Sequence, residues 1–244
     1  MIAWRLERYE ELGSTSDFCI KRAKAGEPEG LAVFAAQQSA GRGSRGRSWL
    51  SPPGNVALSV LVRPRISPAQ SSMYPLLAGI AASDAISAAL PSGPTPMLKW
   101  PNDVLLIGQK CAGLLIDATP VQNRIDWLVI GIGINVAYAP ELPDRATTCL
   151  AAQGAETTAI AVAQAVLDYL SNWLEIFHFS GPEKIISSWL SHAHPIGTCL
   201  EVKTPHQTAA GTFAGLTKAG ELLLHVENRI ETYRTGEILL GVRT

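Results

Sequence analysis

Apolar and polar positions along this chain predict a mixed β-sheet with flanking helices. Two short runs rich in apolar and β-branched residues, at positions 31–37 and 56–62, predict strands, and a cluster between residues 98 and 136 predicts four more. Capped or amphipathic segments predict helices at residues 14–25, 69–90, 157–177 and 182–192. Because strands outnumber the helices between them, a regular alternation of strand and helix fits poorly, and the pattern favours the α+β class.

The pattern changes after His194-Pro195 to short strands separated by turns. Polar turn segments recur at residues 203–207, 218–220 and 227–229. We therefore expect two domains, residues 1–195 and residues 196–244, the second a small β-barrel.

Composition limits the class of protein. The chain of 244 residues is 47% hydrophobic and 17% charged, as in ordinary globular proteins. Its formal net charge of −1 argues against a general nucleic-acid binder, so any phosphate recognition has to be local.

The apolar stretch at residues 74–90 is interrupted by serine and aspartate, and the first residues lack the order of a signal peptide. Four scattered cysteines indicate neither a zinc site nor a disulfide framework, so we expect a cytoplasmic protein.

A loop rich in glycine and arginine, residues 41–47 (GRGSRGR), carries the strongest chemical signal. It matches the G-x-G-x-x-G dinucleotide fingerprint, but that motif has to open a helix, and the WLSPPG segment that follows cannot start one cleanly. Glycines let the backbone approach a ligand, and guanidinium groups give paired donors to phosphate or carboxylate. The loop predicts an anion site; the alternative is a solvated turn or a weak RNA-binding tract.

A second polar segment, KWPND at residues 99–103, precedes a short apolar strand, and a turn brings the chain back at Lys110. A strand this short, closed by a tight turn, places Lys110 beside Lys99 and Asp103 at one end of a sheet. The arrangement predicts either a structural ion pair or a nucleotide site with lysine against phosphate and Asp103 near Mg²⁺.

The third segment, GIGIN at residues 131–135, is a β-branched strand that carries two glycines and ends in Asn135. Glycine weakens a strand interior unless something must approach the backbone closely. The segment therefore predicts either a close approach or a β-bulge.

These segments, in this order, resemble the biotin–protein ligase family. The resemblance covers residues 14–136 and rests on Ser14-Thr15, Gln38, residues 41–47, Trp49, residues 99–103, Lys110, Gly113 and residues 131–135. The β-rich tail is similar to the SH3-like C-terminal domain of the family.

The resemblance implies a mixed-sheet catalytic domain related to class II aminoacyl-tRNA synthetases, with biotin and ATP bound side by side. In the family, Ser14, Thr15 and Gln38 would bind the biotin ureido ring, and Trp49 would anchor the loop. The binding residues that the resemblance implies are Ser14, Thr15, Gln38, Gly41, Arg42, Gly43, Arg45, Arg47, Trp49, Lys99, Asn102, Lys110, Gly113 and Asn135. The implied catalytic groups are Arg42, Arg45, Lys110 and Asp103, with Asp103 also assisting Mg²⁺ and a candidate for a general base.

The implied reaction explains these residue types. A carboxylate and a triphosphate repel each other, and arginine, lysine and Mg²⁺ offset that repulsion as charge grows on the α-phosphate. Biotin and ATP would give biotinyl-5′-AMP and pyrophosphate, and biotin would then pass to a lysine of a biotin carboxyl carrier protein, such as a subunit of acetyl-CoA carboxylase. A loop that orders over the intermediate would exclude water.

Two positions depart from the family pattern. Ser44 stands where the family usually has an arginine that helps to close the site, so a charge-assisted contact is missing. Either Arg45 or Arg47 replaces it, or the enzyme holds biotinyl-AMP loosely. Ser16 replaces the more usual asparagine, which affects only the detail of the biotin pocket.

The sequence leaves several alternatives. A lipoate–protein ligase shares the fold and chemistry but has different arginine–glycine signatures, and a non-catalytic biotin-binding protein would leave Lys110, Asp103 and the arginines unexplained. Ser14-Thr15 lies too near the start for a DNA-binding domain to precede it, so DNA regulation is not expected. His192 and His194 suggest a surface connection rather than a metal site. A homodimer is compatible with the sequence.

Overall fold

A computed structural model describes residues 2–143 and 145–240 of the chain. Its first sheet contains seven strands: β1 (Arg5–Leu12), β2 (Leu31–Gln38), β3 (Val56–Val62), β4 (Met97–Lys99), β5 (Asp103–Leu106), β6 (Gln109–Val121) and β7 (Arg124–Ile134). The α-helices are α1 (Thr15–Lys24), α2 (Met73–Ala89) and α3 (Ala159–His192). The second sheet has five strands: β8 (Cys199–Lys203), β9 (Thr208–Leu216), β10 (Leu222–Val226), β11 (Arg229–Tyr233) and β12 (Glu237–Leu240).

The first sheet runs in the order β1-β2-β3-β7-β6-β5-β4 and is mixed. Only β1 and β2 are parallel among its described pairs; the others are antiparallel. Sequence analysis missed β1, because its RLERYEEL sequence is mostly charged and lies at the edge of the sheet, where only part of its surface is buried. The α+β class is confirmed.

Helices cover both faces of this sheet. Successive side chains of β2 pack alternately against the helices on the two faces. Leu31 and Val33 pack with Cys19 of α1 on one face, whereas Ala32 and Phe34 belong to the larger core under α2 and α3. Apolar side chains on both faces explain why β2 and β3 are continuous hydrophobic runs rather than alternating ones.

The long helix α3 replaces the two helices expected at residues 157–177 and 182–192. Its interior is broken at Gly181, whose φ of 74° and ψ of −174° are not helical, and Pro182 follows. The sequence thus predicted the break correctly, and the two halves run on as one kinked element. No helix in residues 2–143 or 145–240 combines the length and apolar character that a membrane span requires.

The five C-terminal strands form an antiparallel sheet in the order β11-β10-β9-β8-β12. Its two edge strands do not pair with each other in the described part of the chain, so the sheet is not a closed barrel there. The last four residues of the expected second domain lie outside the described residues, and the boundary near residue 195 stays a prediction. The two sheets share one hydrophobic core, and Trp100 donates to the Gly220 carbonyl across them at 3.1 Å.

The connection between the sheets corrects one expectation. His194 is buried rather than on the surface, and the preceding Ala193 bridges to Leu98 of β4. Burial, helped by the charge of Lys99, lowers the pKa of His194, and its Nε2 has no hydrogen-bond partner within the described ranges. His192 is half-buried and contacts the Ser188 carbonyl of its own helix at 2.8 Å.

Candidate active site

The floor of the site is built where α1 begins, beside the ends of β2 and β3. Ser14 caps α1 by accepting from the Asp17 amide at 3.3 Å, which fixes the first turn. The Thr15 amide and hydroxyl both donate to Gln38 Oε1, at 2.8 and 3.1 Å. Gln38 Nε2 donates to Ser51 Oγ at 2.7 Å, so both ends of the amide are held.

Two buried hydroxyls continue this floor. Ser59 Oγ of β3 lies 2.8 Å from Thr15 Oγ1 and 3.0 Å from Ser16 Oγ. Ser16 Oγ fills the space beside Gly131, where a Cβ atom would lie 2.6 Å from it. Gly131 is therefore required for close approach, and it pairs regularly with β3 and β6, so the bulge interpretation is wrong here.

The KWPND segment and the β5–β6 hairpin meet as expected. Lys110 Nζ lies 2.5 Å from Asp103 Oδ1, and Lys99 Nζ lies 3.5 Å from Asp103 Oδ2. All three side chains are largely buried. Burial lowers the pKa of Lys110, and the charge of Asp103 only partly offsets that effect. A buried cluster with two ammonium groups and one carboxylate is suited to receive an anion.

Asn102 ties this cluster to the neighbouring strand. Its Nδ2 donates to the Leu114 carbonyl at 2.6 Å, and its own carbonyl accepts from the Leu114 amide at 3.0 Å. The paired bonds hold residues 99–103 against β6, so that Lys110 and Asp103 face each other across a fixed gap.

Trp49 lies over the two glycines that the sequence singled out on β6 and β7. A Cβ atom at Gly133 would lie 2.7 Å from Trp49 Cζ2, and one at Gly113 would lie 3.0 Å from Cζ3. Lys110 Nζ lies 5.5 Å from the centre of the Trp49 ring, within the range of a cation–π contact. The close approach explains why these strand positions carry no side chain.

The arginines of the loop divide into two groups. Arg42 makes a paired contact with Asp117 of β6, at 3.0 and 3.2 Å, and donates to Asp17 Oδ1 of α1 at 2.8 Å. Hydrogen bonding to Asp117 raises the pKa of Arg42 further, so its charge is permanent. This contact fixes the start of the loop across α1 and β6.

The other two arginines reach the C-terminal sheet. Arg47 donates to Glu237 Oε1 of β12 at 3.0 Å, and Arg45 Nη1 lies 3.7 Å from Glu237 Oε2. Arg145 donates to the same carboxylate at 2.9 Å. Burial would raise the pKa of Glu237, but the hydrogen bonds and charges of Arg47 and Arg145 outweigh burial and hold it below its usual range.

Asn135 directly follows β7 and is almost wholly buried. Its Nδ2 donates to the Thr148 carbonyl at 3.1 Å, while its Oδ1 has no partner in residues 2–143 and 145–240. An unpaired buried acceptor costs roughly 1–3 kcal/mol, and Asn135 also lines the outer cavity described below.

Three neighbouring cavities connect these groups. The inner cavity, about 40 Å³, is lined by Thr15, Ser16 and Gln38 of the floor together with Arg42, Trp49, Asn102, Lys110 and Gly113, among others. The interdomain cavity, about 140 Å³, lies between residues 44–47, residues 99–103 and residues 235–238. The outer cavity, about 250 Å³, is lined by Arg47, Trp49, Leu50, Lys110, Asn135 and Arg145, among others. Lys110 and Trp49 line both the inner and the outer cavity.

The structure thus brings together almost every residue that the sequence selected. Ser14 supports the floor as a helix cap, Gly41 carries no side chain because the Trp49 carbonyl lies against it, and Gly43 lines both the inner and the outer cavity. The site residues that sequence analysis missed are Ser51, Ser59, Asp117, Arg145 and Glu237. Of these, Ser59 carries a sequence signal, a polar residue on the otherwise apolar strand VALSVLV.

Comparison with known proteins identifies the family. Residues 13–135 match the model of the biotin/lipoate A/B protein ligase family, and residues 201–241 match the biotin protein ligase C-terminal domain. The chain belongs to the biotin protein ligase family. It is 34% identical to the bifunctional ligase/repressor BirA of Bacillus subtilis (strain 168) over 239 residues, which cover 96% of this chain and 73% of that protein.

Two further proteins are similar to this chain over most of its length and support the same family. The biotin–[acetyl-CoA-carboxylase] ligase of Paracoccus denitrificans is 31% identical over 216 residues, 86% of this chain and 90% of that protein. The structure of the biotin protein ligase from Aquifex aeolicus in complex with biotin and ATP superposes with a TM-score of 0.80 at 28% identity, covering 97% and 98% of the two chains. These matches confirm the enzyme class and the ATP-dependent biotin ligase activity expected from the sequence, and they favour biotin over the lipoate alternative.

Proposed function

We propose that the inner cavity binds biotin, the outer cavity binds the nucleoside of ATP, and Lys110 stands at their junction to bring the two anions together. The observation that carries this proposal is the position of Lys110, which lines both cavities and is oriented by Asp103 at 2.5 Å. A lysine held between two cavities by a buried carboxylate is placed to neutralise a carboxylate on one side and a phosphate on the other.

The floor of the inner cavity complements a cyclic urea. A backbone amide can only donate, so the bond from the Thr15 amide shows that Gln38 Oε1, not Nε2, faces it. Gln38 Nε2 therefore keeps an N–H beyond the one it gives to Ser51, available to the carbonyl of the urea ring. The hydroxyls of Thr15 and Ser16 offer oxygen lone pairs for ring N–H groups.

The outer cavity complements a nucleoside. Asn135 Oδ1 is a buried acceptor without a partner in the described chain, suited to an adenine amino group. Leu50 and Leu142 are exposed beside it and offer apolar surface to a planar base. Arg47 lines both the outer and the interdomain cavity, and in the latter it joins Arg45 and Lys99, so we assign the departing pyrophosphate to that side.

The first chemical step joins biotin to the nucleotide. A biotin carboxylate oxygen attacks the α-phosphorus, the bond to the β-phosphate oxygen breaks, and pyrophosphate leaves with the electron pair. Lys110, together with Lys99 and the loop arginines, offsets the charge that builds on the phosphate oxygens. In the second step the neutral amine of the carrier lysine attacks the activated carbonyl carbon and releases AMP, and the amine proton passes to solvent.

We assign Asp103 as the counter-ion of two lysines rather than as a resident metal ligand. Each of its oxygens faces an ammonium group, and the described residues contain no cluster of three or more groups that could hold a metal ion. Magnesium favours sites where substrate phosphates supply most of the ligands. We therefore treat Mg²⁺ as part of the MgATP substrate and assign Asp103 the role of holding Lys110 and Lys99.

The proposal also covers the relationship of the two sheets to known folds, the acceptor protein, the cellular location and the oligomeric state. The catalytic sheet is related to that of class II aminoacyl-tRNA synthetases, and the second sheet corresponds to the SH3-like domain of the family. The acceptor is a biotin carboxyl carrier protein, and the enzyme acts in the cytoplasm, where its four free cysteines stay reduced. A homodimer is compatible with this proposal and is not required by the site.

Biotin-dependent release of pyrophosphate, followed by mass spectrometry of a purified carrier domain, tests the assignment. We expect the Lys110→Gln variant to lose roughly 10²–10³ in kcat/KM, the cost of removing one group that stabilises the transition state. The matched control is Lys24→Gln, which changes an exposed lysine at the end of α1 and should act like the wild type. Pyrophosphate release with lipoate but not biotin, or with neither, would contradict the proposal.

A further inference from the structure

A continuous chain of hydrogen bonds runs beneath the inner cavity through Ser16, Ser59, Thr15 and Gln38. The oxygen–oxygen distances are 3.0 Å between Ser16 and Ser59, 2.8 Å between Ser59 and Thr15, and 3.1 Å between Thr15 and Gln38. Ser59 is fully buried in the middle of β3 and does not line the cavity. It therefore touches the ligand only through its neighbours.

The direction of every proton in this chain follows from one backbone bond. Gln38 Oε1 accepts from the Thr15 amide, so the nearby Thr15 hydroxyl must also donate to it. Because the Thr15 hydroxyl proton is used in this bond, Thr15 Oγ1 accepts from the Ser59 hydroxyl. The Ser59 proton is then used as well, so Ser59 Oγ accepts from the Ser16 hydroxyl. The protons point from Ser16 through Ser59 and Thr15 to Gln38.

This direction decides what the cavity offers a ligand. The Ser16 hydroxyl proton points at Ser59, so Ser16 turns oxygen lone pairs, not a proton, towards the cavity it lines. Gln38 contributes the opposite character, an N–H donor from Nε2. The pattern of acceptor beside donor matches the N–H and C=O groups of a cyclic urea.

We propose that Ser59 is a positioning residue that transmits this polarity from Thr15 to Ser16 and so selects a urea ring over ring systems that lack its N–H donors. This inference rests on the proposed function, because it assumes that biotin occupies the inner cavity. Without the Ser59 oxygen, the Ser16 hydroxyl loses its acceptor and is free to turn its proton into the cavity. A ring oxygen would then find a donor in Ser16, whereas in the wild type it meets only lone pairs, and a ring N–H would lose an acceptor that is held in place.

The test compares biotin with its two cyclic carbamate analogues, in each of which oxygen replaces one ureido N–H. Adenylate formation is measured by pyrophosphate release in the wild type and in Ser59→Ala. We expect Ser59→Ala to raise the KM for biotin about tenfold, to leave kcat within about threefold, and to raise the kcat/KM of one carbamate relative to biotin by at least tenfold. An unchanged ratio of carbamate to biotin would overturn the proposal.

Two further variants separate polarity from packing. Ser83→Ala removes another fully buried serine hydroxyl, one without a partner among the described residues and remote from the cavity, and should leave the KM and the ratio unchanged. In a Ser16→Ala background, Ser59→Ala should no longer change the ratio, because the hydroxyl that turns is absent. The same rise in that background would refute the proton-direction argument.

A replacement variant keeps the test decisive if Ser59→Ala does not fold. Thermal melting of each apo variant is measured first, and Ser59→Cys, whose thiol is a weaker donor and acceptor of similar size, replaces Ser59→Ala if the latter does not fold. Ser59→Cys should give a smaller shift of the ratio in the same direction, and no shift would contradict the proposal. A wild type that releases no pyrophosphate with biotin would instead contradict the proposed function.

Discussion

At the scale of single residues, Trp49 limits the size of the inner cavity, where we propose that biotin binds. It rests on Gly113 and Gly133 and forms the wall between the inner and outer cavities. The inner cavity holds only about 40 Å³, far below the roughly 300–1,000 Å³ of ordinary ligand pockets. If biotin binds here as proposed, we expect the Trp49 ring and the loop residues beside it to move on binding.

Replacing Gly133 by alanine tests the fit between strand and ring. The new Cβ would lie 2.7 Å from Trp49 Cζ2, too close for either to stay in place. We expect the KM for biotin to rise at least tenfold, about 1.4 kcal/mol, and the fluorescence of Trp49 to change. Gly79→Ala is the control, since its Cβ would lie 3.6 Å from the nearest atom, an ordinary contact. A biotin KM equal to that of the control would show that the ring does not depend on Gly133.

A substitution at Ser44 tests whether the loop retains biotinyl-AMP. It lines all three cavities, but serine brings no charge where the family usually has arginine. If biotinyl-AMP escapes, enzyme incubated with biotin and ATP should label bulk non-carrier protein more than Ser44→Arg does. Equal labelling by the two proteins would instead indicate that Arg45 and Arg47 already replace the missing contact.

At the scale of elements, the 41–47 loop is held at its two ends by different parts of the fold. Arg42 is bound to β6 and α1, whereas Arg45 and Arg47 reach β12 through Glu237. The second sheet therefore forms part of the wall of the interdomain cavity.

Glu237→Gln should loosen this contact. Because the carboxylate is partly buried and accepts charged hydrogen bonds, we expect a loss of about 1–2 kcal/mol in the free energy of unfolding at pH 7 and a raised KM for ATP. The pKa of Glu237 is lowered in the folded state, so its contribution is present above the unfolded pKa and is lost as pH falls through the folded one.

Urea unfolding of wild type and Glu237→Gln between pH 7 and pH 3 measures this dependence. The difference between the two proteins should be largest at neutral pH and shrink on acidification below about pH 4.5, the ordinary range of a glutamate. A difference that stays constant with pH would show that the lost contact is not ionic. Glu201→Gln, on the neighbouring strand β8, controls for removing a carboxylate from the same sheet.

At the scale of the whole molecule, the two sheets are joined through one hydrophobic core. Gly220 lies in a turn of the second sheet and packs on α2, where a Cβ would lie 2.7 Å from Met73 Cε and 2.9 Å from Leu76 Cδ1. Its φ of 74° also favours glycine. A shared core predicts that the protein unfolds in one cooperative transition.

Gly220→Ala should lower the stability of both sheets together. Backbone strain and overcrowding of about 1–3 kcal/mol correspond to a fall in Tm of roughly 2–12 °C for a chain of this size. Gly26→Ala, with φ of 88° and no atom within 4 Å of its Cβ, shows the backbone cost alone and should lower Tm less. Two separate calorimetric transitions in either protein would mean that the sheets unfold independently.

The sequence by itself determined the local features. Apolar runs fixed most strands, Gly181-Pro182 fixed the break in α3, and the short β5 hairpin placed Lys110 beside Asp103, because each of these depends on residues close together in the chain. The chemistry of the loop and of KWPND was also readable, since residue types and spacing are enough to indicate an anion site.

Only the tertiary structure decided which groups meet across long distances in sequence. Arg42 finds Asp117 at a separation of 75 residues, and Arg47 finds Glu237 at 190, so no periodicity or spacing could pair them. The same holds for the edge strand β1, for the burial of His194, and for Ser59 beneath the cavity. Strand order and the contact between the two sheets bring these residues together, and that assembly, not local pattern, sets the charges and proton directions of the site.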